Sequence, residues 1–199
     1  MIERLLIATQ NAHKIEEIID LLDGLAIPIK SLQDYPSVDE PVEDQPTFEG
    51  NALLKARYYA QHFGGACVAD DSGIEVDALS GAPGVYSARY AGEHCSDDDN
   101  NAKLLREMTA VPDERRTARF VCCAALVTAE GLEHIIRGTV EGRIAATCNG
   151  ENGFGYDSLF IPDGHQDTFG VLSPQTKAGI SHRAQAFGEV KAYLAELLS

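Results

Sequence analysis

The stretch Cys67 to Tyr90 reads CVADDSGIEVDALSGAPGVYSARY and places two adjacent aspartates directly after a short apolar run. We predict that a buried strand ends just before Asp70, because the apolar run has strand length and turn-forming residues follow it up to Gly73. Ligands of open α/β sheets bind beside the carboxyl ends of the strands. Asp70 and Asp71 therefore either cap a turn or share a hard cation such as Mg2+ that relieves their repulsion, and both interpretations stand.

The chain has 199 residues, of which 44% are hydrophobic and 24% charged, so we expect a soluble globular protein with one domain or two closely packed lobes. Its formal net charge of −15 argues against a nucleic acid polymer as partner, because a phosphate backbone is bound by a basic face. A small ligand that carries phosphates must instead be met by local cations or by a metal.

The five cysteines show no C-x-x-C spacing, and an odd number cannot all pair within one chain. Reduced, mostly buried thiols are therefore expected, which is typical of the cytoplasm. No apolar run reaches membrane-spanning length, and the first residues lack a signal-peptide pattern, so we expect no membrane partner.

The chain begins with a predicted strand, Arg4 to Thr9, followed by a short polar loop and an amphipathic helix. The expected buried stripe of this helix comprises Ile15, Ile18, Ile19 and Leu22. Lys14 lies at the helix start, where a cation opposes the helix dipole, and an anion bound between Lys14 and the free backbone N–H groups would explain it. Alternatively, Asn11 caps the helix and Lys14 points to solvent.

Further helices and strands follow in alternation. Thr47 is expected to cap a helix with the sequence FEGNALLKARYYAQHF, and Ser96 to cap another. The proline-containing residues 31–46 are predicted to form a loop whose acidic side chains are solvated. The stretches Ala118 to Thr128 and His134 to Val140 are predicted to form a hairpin.

The C-terminal third contains loops with embedded aromatic and charged residues. Residues 149–157, NGENGFGYD, suit either the stacking of a planar base or a simple glycine turn. Lys177 is expected in a flexible segment, SPQTKAG, and residues 181–183 are expected to open a last helix. Two potential cations, His182 and Arg183, lie at that helix start, against the helix dipole. Either they bind a phosphate or a base carbonyl, or they lie in solvent. The predicted buried stripe of the helix comprises Phe187, Val190, Leu194 and Leu197.

Six motifs follow one another along nearly the whole chain. They are T-x-N-x-x-K from Thr9, TFEGNALLKA from Thr47, ADDSG from Ala69, GAPGVYSARY from Gly81, GFGYD from Gly153 and ISHRA from Ile180. In this order they resemble the motifs of the inosine triphosphate pyrophosphatase family. That family is also called the Ham1-like or noncanonical purine NTP pyrophosphatases, and dITP/XTP diphosphatase is its bacterial form.

The resemblance implies one domain over residues 1–199, with an α/β fold in which a long central mixed sheet carries two lobes that flank an active-site cleft. It also implies an enzyme, usually a homodimer, that hydrolyses ITP, dITP and XTP to the monophosphate and pyrophosphate with Mg2+ as cofactor. Two alternatives stay open, namely a pyrophosphatase for other aberrant or pyrimidine triphosphates and a nucleotide-binding regulatory module without catalysis.

Carried over by position, the resemblance implies Asp71 as the proton acceptor, Glu43 and Asp71 as ligands of Mg2+, and Lys55 as a further cationic contact. The implied substrate contacts are Thr9, Gln10, Asn11, Ala12, His13, Lys14, Ser72, Phe154, Gly155, Tyr156, Asp157, Lys177, His182 and Arg183. Two residues depart from the family pattern, since His13 stands where glycine is frequent and Ser158 where proline is usual.

Overall fold

The structure is a computed structural model and describes residues 2–198. Strands and helices alternate along the first half of the chain, as the sequence predicts. The strands are β1 (Leu5–Ile7), β2 (Ile29–Ser31), β3 (Ala66–Val76), β4 (Thr117–Val127), β5 (Glu133–Ile144) and β6 (Phe160–Pro162). The helices are α1 (Ala12–Leu22), α2 (Phe48–Phe63), α3 (Asp97–Glu107), α4 (Pro174–Ile180) and α5 (His182–Leu197).

The strands form a six-stranded open sheet in the order β2-β1-β3-β4-β5-β6. β1 pairs in parallel with both β2 and β3, whereas β5 and β6 are antiparallel. β4 and β5 are neighbours joined by residues 128–132, and so short a connection joins only antiparallel strands. The sheet is therefore mixed, and the predicted α/β class and its hairpin are confirmed.

Contacts between residues divide the chain into two compact units. Unit 1 consists of the residues up to Asp71, Cys122–Gly138 and the residues from Arg183 onward. Unit 2 consists of Ser72–Val121 and Thr139–His182. β3, β4 and β5 each contribute residues to both units. The single domain with a cleft flanked by two lobes stays a prediction.

The core of unit 1 is formed by β1, β3 and β4 together with the apolar stripes of α1 and α5. The predicted stripes are buried except for one residue in each helix, because Ile19 is 44% exposed and Leu197 is 46% exposed. Ile19 lies about 100° around the helix from Ile18, beyond the edge of the buried stripe. Leu197 follows the last core residue of α5, Leu194, and ends the helix.

Unit 2 has an apolar core of its own that is rich in aromatic rings. The rings of Phe120, Phe160 and Phe169 contact one another, with centroids 4.6 to 6.2 Å apart. Leu104 of α3 packs into the same cluster, and so does Tyr156. The predicted base-binding segment is thereby anchored in the core of this unit.

The predicted end of the strand before Asp70 is wrong, because β3 continues through both aspartates to Val76. Gly73 fits in the middle of the strand since Ser87 and the Gly84 carbonyl approach it so closely that a Cβ there would collide with both. The interpretation of this stretch as a turn is therefore wrong. Within the strand, Gly73 allows close packing against its neighbours, and the two aspartates place negative charges. Consecutive residues of a strand point to opposite faces, and the ion pairs of Asp70 and Asp71 are accordingly with different cations. A metal ion shared by both carboxylates stays a prediction.

Two shorter elements also differ from the predictions. Lys177 lies in the helix α4 rather than in a flexible segment, because Ser173 accepts a hydrogen bond from the Thr176 N–H and Pro174 occupies the first turn. The predicted loop 31–46 begins in β2, an edge strand whose three residues are too few to show a strand pattern. Within residues 2–198 no helix is long and apolar enough to span a bilayer.

Candidate active site

The loop before α1 is shaped by hydrogen bonds to its own side chains. Asn11 Oδ1 accepts from the Lys14 backbone N–H at 3.1 Å, and Thr9 Oγ1 accepts from the Asn11 N–H at 3.2 Å. Asn11 is therefore the N-cap of α1, which was one interpretation of this loop. The other predicted residues of the loop are exposed at the helix start, namely Gln10, Ala12 and His13.

The Lys14 side chain is directed to a buried carboxylate rather than to open solvent. Its Nζ lies 3.0 Å from Oδ2 of Asp70, whose side chain is 0% exposed. Arg183 Nη2 donates to the same oxygen at 3.2 Å, and Arg183 Nη1 donates to Glu17 at 2.6 Å. Burial alone would raise the pKa of Asp70, but the charges of Lys14 and Arg183 outweigh it and hold that pKa well below its usual range. Asp70 is thus an ionised anchor for two cations.

A second charged cluster joins α2, β3 and the loop before α2. Lys55 Nζ lies 3.1 Å from Glu43 Oε2 and 3.4 Å from Asp71 Oδ1, and Asn51 donates to Asp71 Oδ2 at 3.2 Å. Burial raises the pKa of Asp71, Lys55 opposes this effect, and the charge of Glu43 adds to it. Two carboxylates therefore converge on one ammonium group.

The chemistry of this second cluster suits a magnesium ion. Mg2+ prefers oxygen ligands and is typically held by one or two carboxylates, while water and substrate phosphates complete its shell. Glu43 and Asp71 supply two such carboxylates around the position that the Lys55 ammonium takes. Among residues 2–198, no group of three or more His, Cys, Asp or Glu side chains could hold a metal. With two carboxylates as its protein ligands, such an ion would need water and phosphate oxygens to complete its shell.

A third polar cluster, in unit 2, is centred on Asp157. Lys177 Nζ lies 2.7 Å from Asp157 Oδ2, and the same oxygen accepts from the Phe154 N–H at 2.9 Å. The Lys177 ammonium is 4.8 Å from the centre of the Phe154 ring, which is within cation–π range. The charged side chains are 8% and 4% exposed. A planar ligand with polar edges could meet an aromatic face, an ammonium and a carboxylate here.

Three other residues that are predicted to contact the nucleotide have contacts within the protein. Tyr156 is 4% exposed, and its hydroxyl donates to the Ser87 carbonyl at 2.8 Å. The buried His182 ring stacks on Phe120, with centroids 4.8 Å apart and 11° between the ring planes. Ser72 is half-buried within β3. Contact of these residues with a substrate stays a prediction.

Three residues of these clusters were missed by reasoning from the sequence. Asn51 lies one helical turn before Lys55, so the i,i+4 spacing on α2 was the available signal. Asp97 Oδ2 accepts from the Gly155 N–H at 2.6 Å, and Asn101 Nδ2 donates to the Gly155 carbonyl at 2.9 Å. No sequence pattern links α3 to a loop more than 50 residues further along the chain.

An α/β fold with a capped, cation-bearing helix start, converging carboxylates and, in unit 2, a ring-bearing polar cluster is typical of enzymes that act on nucleotides. The chain belongs to the Ham1 family, whose sequence profile matches residues 5–193. The family resemblance stated from the six motifs is thereby confirmed.

Several relatives are similar to this chain over almost their whole length. A dITP/XTP pyrophosphatase of Exiguobacterium sibiricum is 47% identical over 195 residues, which cover 98% of either chain. A solved HAM1 protein from Coxiella burnetii is 39% identical with a TM-score of 0.90, over 98% of this chain and 100% of the other. A solved nucleoside-triphosphatase, also described as dITP/XTP pyrophosphatase, from Mycobacterium abscessus is 45% identical with a TM-score of 0.78, over 96% and 98%.

Proposed function

We propose that this chain hydrolyses the noncanonical purine nucleoside triphosphates dITP, ITP and XTP to the monophosphate and pyrophosphate. Relatives that match almost the whole chain are named dITP/XTP pyrophosphatase, and this supports the predicted enzyme class. The structural observation that carries the proposal is the convergence of Glu43 and Asp71 on Lys55. Hydrolysis of a phosphoanhydride depends on such a combination of carboxylates and cations, because charge must be stabilised and water activated.

The triphosphate is assigned to unit 1. The backbone N–H groups at the start of α1 and the Lys14 ammonium hold phosphate oxygens, since helix N-termini attract anions. Asp70 keeps that ammonium in position, and Arg183 balances the charge of Asp70. Mg2+, for which Glu43 and Asp71 are the proposed ligands, would offset the phosphate charge and polarise the bond that breaks.

The proposed reaction is attack of water on the α-phosphorus. The water oxygen forms a bond to phosphorus while the bond from phosphorus to the pyrophosphate oxygen breaks, and the water proton passes to the Asp71 carboxylate. Asn51 orients that carboxylate through its hydrogen bond to Oδ2. Lys14 and Lys55 stabilise the negative charge that collects on the leaving pyrophosphate.

Selectivity for the base is assigned to unit 2. The Lys177 ammonium is a donor only, so it can bond to the 6-oxo group of hypoxanthine or xanthine but not pair with the amino group of adenine. Phe154 offers its ring for stacking on the base. A buried polar group left unpaired costs about 1 to 3 kcal/mol, which corresponds to roughly 5- to 150-fold discrimination.

The proposal includes a homodimer in the cytoplasm, as the family resemblance implies. The five cysteines are free thiols, which suits a reducing compartment. Light scattering of the purified protein measures the assembly state, and a mass equal to one chain at working concentration would contradict the dimer.

The test is a substrate panel of dITP, ITP, XTP, dUTP, dTTP and ATP with identification of the products. We expect monophosphate and pyrophosphate from the first three, and no turnover once EDTA removes divalent cations. Asp71→Asn should lower the rate by at least 100-fold, because general-base catalysis alone contributes about that much, while circular dichroism stays unchanged. The matched control is Asp39→Asn, which alters an exposed acid and should keep full activity.

Preference for dUTP or dTTP would replace the proposal by a pyrimidine-directed pyrophosphatase. Tight ITP binding without products in the presence of Mg2+ would favour a regulatory module. Near-normal turnover by Asp71→Asn would remove this residue from its role.

A further inference from the structure

We propose that Asp97 and Asn101 of α3 are positioning residues that hold the base-reading segment Gly153 to Asp157 in shape. This inference rests on the proposed function, because it assigns a role to the segment that would discriminate among bases. It concerns side chains that neither the motifs nor the predicted contacts include.

Both residues act on the backbone of one glycine. The Gly155 N–H donates to Asp97 Oδ2 at 2.6 Å, and the Gly155 carbonyl accepts from Asn101 Nδ2 at 2.9 Å. The two polar backbone groups of Gly155 are therefore engaged by α3. Its predicted contact with substrate is best explained through the shape it gives the loop, where its φ of +61° is one that glycine adopts without strain.

Phe154 and Asp157, which lie on either side of Gly155 in the proposed base site, depend on the shape of this loop. Phe154 precedes it, and its N–H donates to Asp157 Oδ2 at 2.9 Å. The same oxygen receives the Lys177 ammonium at 2.7 Å. A shift of Gly155 would therefore move the ring and the carboxylate relative to each other, and the direction in which the ammonium faces a base would change with them.

The helix that supplies the clamp is itself well fixed. Ser96 and Asp99 form a reciprocal capping box at its start, and Leu104 is buried in the core of unit 2. Asn100 accepts from the Ala91 N–H at 2.8 Å, which fastens the helix to the preceding segment. α3 is thus a firm support from which two side chains reach an irregular loop.

The side-chain oxygen of Asn101 indicates that this amide was not selected for stability alone. Its side chain is 4% exposed, and among residues 2–198 its Oδ1 has no hydrogen-bond partner. A buried acceptor without a partner is unfavourable for folding. A leucine would avoid this cost, so the amide is explained by its other end, Nδ2, which donates to the Gly155 carbonyl at 2.9 Å and more weakly to Ser158 Oγ at 3.5 Å.

The first experiment compares three variants in the full-length protein. Asp97→Ala removes the acceptor for the Gly155 N–H, Asp97→Asn keeps an oxygen acceptor, and Asp98→Ala removes a neighbouring exposed acid from the same helix turn as a control. We expect Asp97→Ala to raise KM for dITP about tenfold with a smaller change in kcat. Selectivity for dITP over dATP should fall by a similar factor. Asp97→Asn should largely restore both values, and Asp98→Ala should match the wild type.

The second experiment separates positioning from stability. Asn101→Leu removes the unpaired buried oxygen but also the donor to the half-buried Gly155 carbonyl, so the melting temperature should change little. Selectivity for dITP should nevertheless be lost. Hydrogen exchange of a peptide covering residues 150–158 should become faster in Asn101→Leu and Asp97→Ala without nucleotide.

The outcomes distinguish the two proposals. Absence of triphosphate hydrolysis in the wild type would overturn the proposed function, while the exchange rates would still show whether α3 holds the loop. Normal hydrolysis with unchanged KM, selectivity and exchange in both variants would overturn the role of Asp97 and Asn101 alone. If Asp98→Ala lost as much activity as Asp97→Ala, the loss would be due to a less stable helix, and the positioning role of Asp97 would be wrong.

Discussion

The charged clusters of unit 1 and the polar cluster of unit 2 are built in different ways. In unit 1 the ionised side chains project from helices and strands, with the exception of Glu43 in the loop before α2. Of the two buried carboxylates of β3, Asp70 pairs with two cations and Asp71 with one. In unit 2 Phe154 and Asp157 lie in an irregular segment, and side chains from α3 and α4 fix its geometry through one ion pair and hydrogen bonds to backbone groups. In unit 1 the secondary structure mainly determines where the charges lie, whereas in unit 2 individual hydrogen bonds determine the shape of a loop.

This difference separates the expected consequences of substitution. Removal of Asp70 from unit 1 takes a shared carboxylate from two cations, which affects folding as well as catalysis. Removal of a contact from unit 2 loosens a segment that is already anchored through Tyr156, so binding and selectivity should change before stability does. Three substitutions, ordered by the size of the expected effect, test this contrast.

The largest effect is expected from Asp70→Asn. The substitution leaves Lys14 and the fully buried Arg183 without their shared carboxylate, and breaking such a buried pair costs about 3 to 5 kcal/mol. Urea unfolding followed by circular dichroism measures the free energy of unfolding. Asp34→Asn is the control: it alters an exposed ion pair with Lys30 but keeps a side-chain oxygen that can accept from the Ser31 N–H, so the midpoint should change little.

The same variant should show a defined pH dependence. The pKa of Asp70 is lowered in the folded protein, so its carboxylate contributes stability above the usual carboxyl pKa of about 3.9. That contribution is lost as the pH falls further. The difference between the wild type and Asp70→Asn should be full at pH 7 and shrink below about pH 4, and a constant difference would contradict the ionised anchor.

An intermediate effect is expected from Lys177→Met. The substitution leaves the buried Asp157 carboxylate without its cation, which lowers stability. The loss should be smaller than for Asp70→Asn, because one cation is affected rather than two and Asp157 keeps its hydrogen bond from the Phe154 N–H. Loss of a donor to the 6-oxo group should raise KM for dITP about tenfold and lower selectivity over dATP. Lys30→Met, at an exposed ion pair, serves as the control. If kcat fell while KM and selectivity stayed constant, Lys177 would belong to the chemical step instead.

The smallest effect is expected from Arg57→Ala, which breaks an exposed ion pair with Glu133 at 2.6 Å. Solvent screens this pair, and the side chains lose entropy when they are held together. The unfolding midpoint should shift only slightly, and the shift should vanish in 1 M NaCl because the Debye length falls to about 3 Å. A shift as large as that of Asp70→Asn would remove the contrast between buried and exposed charges in unit 1.

Local sequence signals predicted the regular elements best. Thr47 and Gly64 flank α2, and the helix has the predicted bounds because a side-chain cap and a glycine with positive φ mark its two ends. The end of β3 was predicted too early, because aspartate, serine and glycine favour turns in isolation. In the structure Gly73 lies within the strand and makes room for Ser87. Tertiary packing overrode local preference at this point.

For the candidate site, the family resemblance supplied the residues but not their partners. Asp70 meets Arg183 across 113 residues of sequence, and no local pattern predicts which distant cation a buried carboxylate will choose. The contacts of Asp97 and Asn101 were missed for the same reason. The resemblance named Gly155, but only the structure assigns its backbone groups to α3.

The position of Lys55 has a consequence for how the site responds to the concentration of divalent ions. Since its ammonium lies between Glu43 and Asp71, the chain carries its own counter-ion for an acidic pair that would otherwise push apart. Lys55 thus offsets part of the negative charge of Glu43 and Asp71 without a divalent ion. With Glu43 and Asp71 as the proposed ligands of Mg2+, removal of divalent ions should lower the rate of hydrolysis while Lys55 still pairs with both carboxylates.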